Sequence, residues 1–208
     1  IDQPSISPDH PIPWIGNALQ TADAALFVVD LTRPGCVEQV VQAHEILAER
    51  KIVLSARWPI DEEDAAPSDE MPDPFTTVLP TLLVANKADL VDDTAGELEI
   101  LEELAEISYP TLSTSVETGE GLDALGPWLF ERLGIVRVYT KVPGGGVDDG
   151  RPFTVRKGQT VGDVALLVHR DIAASLKYAR IWGKGSFDGQ QVGRDHPVWD
   201  GDVVELHA

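Results

Sequence analysis

Apolar and polar positions fall into two rhythms along this chain, and the change comes near residue 134. Before it, unbroken apolar runs alternate with stretches in which apolar residues return at helical spacing. Ala24-Ala25-Leu26-Phe27-Val28-Val29 runs up to Asp30, the pattern of a parallel strand covered on both faces. Pro34 opens a predicted helix carrying Val37, Val40, Val41, His44 and Leu47, and Ile52-Val53-Leu54 reads as a short strand. A second apolar run, Val78 to Ala85, leads into Asn86. A helix after Gly96 carries Leu98, Leu101 and Ala105, and another strand is predicted near Tyr109. Leu122, Leu125, Leu129 and Leu133 then line one side of a helix that Gly134 stops. Strands alternating with helices predict an α/β fold with a parallel sheet and right-handed crossovers. Ligands of such sheets bind beyond the carboxyl ends of the strands.

From Ile135 the rhythm shortens. Ile135 to Val142 alternates as a half-exposed strand does, Pro143-Gly144-Gly145-Gly146 reads as a turn, and Phe153 to Arg156 returns as a second strand. Thr160 caps a predicted helix carrying Val164, Leu167 and Val168, with Asp163 as the acidic partner of a capping box. Tyr178 to Trp182 and Val203 to Leu206 supply further strands. The order predicts a small α+β unit of the ubiquitin-like grasp type over residues 135–208, after an α/β unit over 1–134.

Two segments stand outside these patterns. Residues 2–13 are extended and Pro-rich, followed by a short predicted helix from Trp14 to Thr21. Residues 57–76 are acidic and Pro-rich, which predicts a solvated insertion; an acidic docking strip for a basic partner is the sharper alternative.

Charge sharpens the division. Residues 1–134 carry 6 Lys/Arg against 26 Asp/Glu, a net −20, whereas residues 135–208 carry 10 against 9, a net +1. The first part repels nucleic acid at long range; the second is neutral enough to approach it. A single cysteine, Cys36, excludes a disulfide framework and fits a reducing cytoplasm, and its place at a helix start argues against a catalytic thiol. No apolar run approaches the ~20 residues of a spanning helix, so no membrane is expected as a partner. The five tryptophans are spread along the chain and read as core or rim packing, and His169, His196 and His207 lack metal-ligand spacing.

The candidate chemistry sits just after two predicted strands. Asn86-Lys87-Ala88-Asp89 is an N-K-x-D box directly after an apolar run. A single carboxylate at Asp89 accepts two parallel hydrogen bonds from the N1–H and N2–H2 edge of guanine, where adenine offers no such pair of donors. The Asn86 amide suits N7, and the Lys87 stem can lie along the base plane. Ser115-Val116-Glu117, after the stretch from Tyr109 to Leu112, is the second motif; it resembles the Ser-Ala-x loop of GTP-binding proteins, with Val116 in place of the alanine, and that resemblance implies a Val116 N–H at guanine O6. Either piece alone is also simply a polar loop closing a strand.

Together with Arg137-Val138-Tyr139-Thr140-Lys141, Lys177 to Gly183, Val192 to His196 and Asp200-Gly201-Asp202-Val203-Val204, these motifs resemble the GTP-binding proteins of the Obg and developmentally regulated class that end in a TGS domain. The resemblance implies a Ras-like P-loop GTPase sheet followed by a β-grasp module that contacts RNA, the ribosome or a regulatory protein. It implies GTP or GDP as ligand, held by Asn86, Lys87, Asp89, Ser115, Val116 and Glu117. It also implies Mg2+, with Asp2 matching the Asp that holds the ion through water, and a cytoplasmic location. The family has D-x-P-G at that point; this chain has Asp2-Gln3-Pro4-Ser5. It also has no G-x-x-x-x-G-K-S/T, and Gly183-Lys184-Gly185-Ser186 reads as a turn instead. The P-loop half of the sheet is therefore missing, and the run at Ala24 to Asp30 is expected to form an open edge. A truncated record of a longer GTPase is one explanation, a degenerate domain completed by a partner another. GTP hydrolysis is expected of the intact parent, and not of this chain. The competing reading is a non-enzymatic RNA- or ribosome-binding adaptor, with Arg151, Arg156, Lys157, Lys177, Arg180, Lys184 and Arg194 as its contacts.

Overall fold

A computed structural model describes residues 2–9, 12–60 and 73–208. The chain divides into two compact units, Ile1–Leu133 and Gly134–Ala208.

The N-terminal unit opens with the short helix α1 (Ile15–Leu19) and alternates thereafter: β1 (Ala25–Asp30), α2 (Cys36–Glu49), β2 (Ile52–Ser55), β3 (Thr77–Asn86), α3 (Thr94–Ala105), β4 (Thr111–Ser113) and α4 (Leu122–Arg132). All strand pairs are parallel, and every one of them includes β3. Its first four residues pair with β2, and Thr81 to Asn86 pair with Ala25 to Asp30 of β1. Five consecutive residues of β3, Thr81 to Ala85, are buried, because helices cover the strand on both faces. Leu83 and Ala85 pack with Val29, Val40 and Leu101, under α2 and α3. Leu82 and Val84 pack with Trp58 and, from α4, with Leu125, Trp128 and Leu129. The Trp58 and Trp128 rings meet edge to face at 4.8 Å.

Two expectations need correction here. β1 is not covered on both faces: Phe27 and Val29 join the core, but Leu26 and Val28 are 43% and 59% exposed. These two lie in register with Leu82 and Val84, which α4 covers, and α4 does not reach across to them. Among the described residues β3 is the only strand partner of β1, so the expected open edge is present. Secondly, Trp58 falls inside the stretch read as a solvated insertion, yet it is fully buried. Its indole is held by the packing of α4. The acidic run itself, within residues 61–72, lies outside the described residues.

Smaller shifts have local causes. Helix α2 starts at Cys36 rather than Pro34 because Gly35 takes a left-handed conformation at the cap. Burial, with the Asp30 and Glu38 carboxylates nearby, pushes the Cys36 thiol above its ordinary range, the opposite of activation. Helix α3 starts before Gly96, since the Asp93 carboxylate accepts the Gly96 N–H at 3.0 Å and caps the first turn.

The C-terminal unit contains β5 (Ile135–Lys141), β6 (Val147–Arg156), α5 (Val161–Val168), α6 (Arg170–Ser175), β7 (Tyr178–Trp182), β8 (Gln190–Val192) and β9 (Asp202–His207). The sheet order is β6-β5-β9-β7-β8, with β5 and β9 parallel and the other pairs antiparallel. This is a β-grasp arrangement. The Asp163 carboxylate accepts both the Thr160 N–H, at 2.8 Å, and the Thr160 hydroxyl, at 2.9 Å, fixing the start of α5. That helix buries Val161, Val164 and Ala165 and leaves Leu167 53% exposed, so its apolar stripe is narrower than the spacing predicts. The Gly183-Lys184-Gly185-Ser186 stretch is a turn between β7 and β8.

Candidate functional site

Parallel pairing brings both motif loops to the carboxyl end of one sheet. β3 delivers Asn86, and β4, paired with it over Leu83 to Ala85, delivers Thr114 and Ser115. Two backbone hydrogen bonds tie the loops together: the Ala88 N–H donates to Thr114 O at 3.1 Å, and the Thr114 N–H to Ala85 O at 2.8 Å. The Asn86 carboxamide oxygen lies 3.5 Å from the Thr114 hydroxyl, at the limit of a hydrogen bond.

The individual side chains differ in how they are held. Ser115 is buried; its hydroxyl accepts the Thr118 N–H at 3.1 Å and its own N–H donates to Glu120 O at 2.9 Å, closing a tight turn. Gly121 completes that turn at φ +72°, and a Cβ there would stand 2.2 Å from Ser113 O, so only glycine lets α4 start so close to β4. Val116 and Glu117 project from the turn, exposed, and the Val116 N–H has no acceptor among the described residues. Asp89 sits in a single 3-10 turn, Ala88–Leu90, exposed and without an ion pair among the described residues. An unpaired carboxylate and an unpaired backbone donor thus stand on neighbouring loops, the two complements that a guanine edge requires. Val116 itself is 70% exposed, so its added bulk over alanine meets no obstruction.

Lys87 introduces a residue to which the sequence reading assigned no role. Its backbone is left-handed, φ +63° and ψ +33°, which turns its side chain back toward β1. There its ammonium meets the Asp30 carboxylate at 2.6 Å. Asp30 is held in turn by the Thr32 N–H at 3.0 Å and the Thr32 hydroxyl at 2.6 Å. The Lys87 ammonium, and then the Thr32 hydroxyl, keep the Asp30 carboxyl below its ordinary range. The signal was available in the register: the parallel pairing that ends both strands together sets Asp30 opposite Asn86, one residue from Lys87.

Asp2 behaves differently. It lies exposed in the extended segment before α1. Among the described residues no three His, Cys, Asp or Glu side chains gather in a way that would hold a metal ion. No helix among them is long and apolar enough to cross a membrane.

Residues 136–208 match the family model described as the TGS domain. A GTP-binding protein of Methanocaldococcus jannaschii is 36% identical over 129 residues, covering 62% of this chain and 33% of that protein. The human developmentally-regulated GTP-binding protein 2 is 31% identical over 186 residues, covering 86% of this chain and 48% of its own. The chain thus spans between a third and a half of these relatives' length. Among solved structures, the YchF GTPase of Schizosaccharomyces pombe aligns over 92% of this chain and 74% of its own at a TM-score of 0.54 and 10% identity, a likeness of fold alone.

Proposed function

For a chain that carries a TGS domain and is homologous to the developmentally-regulated GTP-binding proteins, we propose a guanine-recognition role for the paired loops at residues 86–89 and 115–117. Asp89 accepts N1–H and N2–H2 of the base, the Val116 N–H donates to O6, and Asn86 serves N7 while tying the loops together. The Lys87 stem, anchored at its tip by Asp30, forms a wall for the base plane. The observation that carries the reading is the pair of unsatisfied groups on adjoining loops, at Asp89 and Val116, linked by the Ala88–Thr114 hydrogen bond.

No phosphate cradle accompanies these groups in the sequence, so binding rests on the base and is weak, on the order of millimolar. No residue here stands as a catalytic base or an arginine finger, and hydrolysis is not part of the proposal. The TGS domain supplies the second half of the function, as a docking module for RNA, the ribosome or a regulatory protein. Its near-neutral charge beside an acidic N-terminal unit supports this division of labour.

The test is a titration of the full chain with guanosine and xanthosine, followed by amide chemical shifts. The unaltered chain should bind guanosine through the loops at residues 86–89 and 115–117. Asp89→Asn should reverse the preference toward xanthosine by about 100-fold, because a carboxamide presents a donor where guanine also donates. Unchanged selectivity would remove Asp89 from the site.

A further inference from the structure

The C-terminal sheet has one face under α5, and its opposite face carries a regular pattern. Val136, Val138, Ala179, Ile181 and Val204 point into the core, so the residues alternating with them form the outer face. Strand register arranges these in rows. Tyr139 and Trp182 flank Val203, Lys141 and Arg180 flank Glu205, and Tyr178 lies opposite His207. Rings and cations therefore alternate across three adjacent strands.

The contacts within these rows set the charge. Glu205 is buried; it accepts from His207 at 2.7 Å and pairs with the Lys141 ammonium at 3.3 Å. Lys141 also lies 3.5 Å from the centre of the Trp182 ring, and the Tyr178 and His207 rings stack at 4.4 Å. At the neighbouring corner Asp200 is neutralised by Arg137, through hydrogen bonds of 3.0 and 2.7 Å. Both carboxylates of the region are thus compensated. Arg180 stands exposed without an ion-pair partner among the described residues, and Lys184 is exposed on the adjoining turn.

We propose that this outer face binds unpaired bases of single-stranded RNA, with Tyr139 as the stacking surface and Arg180 on the backbone phosphates. This rests on the reading of the TGS domain as a docking module and commits it to one ligand and one surface. The chemistry is specific to unpaired strands. A flat sheet offers ring faces to bases that are free to stack, whereas a duplex hides its bases and presents only backbone and a shallow groove. The weak net charge of the unit fits the same choice, since stacking does not depend on a dense row of cations.

The experiment measures anisotropy of a short labelled RNA, as a single strand and as a duplex of the same sequence, with the full chain. The single strand should bind at least about tenfold more tightly than the duplex. Tyr139→Ala should weaken it roughly 5- to 100-fold, the loss of one base stack, and Tyr139→Phe should restore most of that. Arg180→Ala lies on the exposed surface and leaves the core intact, so it keeps the test decisive if the tyrosine variant fails to fold. It should weaken binding and reduce the slope of log affinity against log salt by about 0.7. Duplex binding as tight as the single strand, or RNA affinity unmoved by both variants, overturns this proposal while RNA docking itself survives. No binding of either RNA by the unaltered chain overturns the RNA reading as well and leaves the face to a protein partner.

Discussion

In the C-terminal unit ten buried residues form one cluster beneath a single helix, and the sheet's other face is occupied by ion pairs and ring contacts. In the N-terminal unit the buried residues fall into three clusters strung along β3, and one face of β1 is left bare. Both units are built from strands and helices, although the helices of the N-terminal unit, at 14, 12 and 11 residues from α2 to α4, are longer than α5 and α6, at 8 and 6. The contrast comes from closure. The grasp sheet satisfies its own apolar face, whereas a parallel sheet needs a helix over each face of every strand, and β1 has helical cover on only one. Unpaired strand edges are normally covered or blunted, and the exposed Leu26 and Val28 mark where this sheet is neither.

The comparison breaks most sharply at Trp58. This side chain is fully buried between β3 and α4, in a cluster that no residue of the C-terminal unit joins. Trp58→Ala should cost the N-terminal unit about 3–5 kcal/mol, through lost transfer energy and the cavity left behind. Calorimetry of the full chain should show the N-terminal transition moving down while the C-terminal transition stays in place. A shift of both transitions together would mean that the two units unfold as one and that closure is not a local property.

Asp30 sharpens the same contrast at the site. Asp30→Asn keeps the size of the side chain and the hydrogen bonds from Thr32 but removes the charge that holds Lys87 at 2.6 Å. Part of the pair is solvent-exposed, so the effect is modest: about fivefold weaker guanosine binding, with the preference for guanosine over xanthosine retained. A change of selectivity would place Asp30 on the base itself, and an unchanged affinity would leave Lys87 free of any role in orientation.

How far the sequence carries such arguments depends on the distance over which each feature is encoded. The β3 run, the N-K-x-D loop behind it and the capping box at Thr160 and Asp163 are local, and the structure places each where the pattern predicts an element. The turn at residues 115–120 is local too, with Gly121 as its steric requirement. Strand β8 was not legible as a strand, since Gln190 and Gln191 supply two of its three residues and its pairing with β7 is tertiary. The pairing of Asp30 with Lys87 spans two strands and appears only once their parallel register is known. The bare face of β1 departs from the expected pattern for a related reason. A continuous apolar run shows that both faces of a strand are apolar, and carries no information on whether a neighbour is present.

The open face is measured most directly at one pair of register partners, where one substitution is expected to be near neutral. Val28 and Val84 are register partners on the same face of the sheet, one 59% exposed and the other 6%. Valine to threonine preserves shape and strand propensity and exchanges a methyl for a hydroxyl. At Val84 that hydroxyl has to leave water, which costs about 1–3 kcal/mol. At Val28 it remains solvated, and the change should stay within about 0.5 kcal/mol of neutral. The N-terminal melting transition of each variant gives the two numbers directly. Equal costs at both positions would show that Val28 is covered in solution, by a second copy if the equality is lost on dilution. A neutral Val28→Thr beside a destabilising Val84→Thr would establish that the sheet ends, energetically as well as geometrically, at β1.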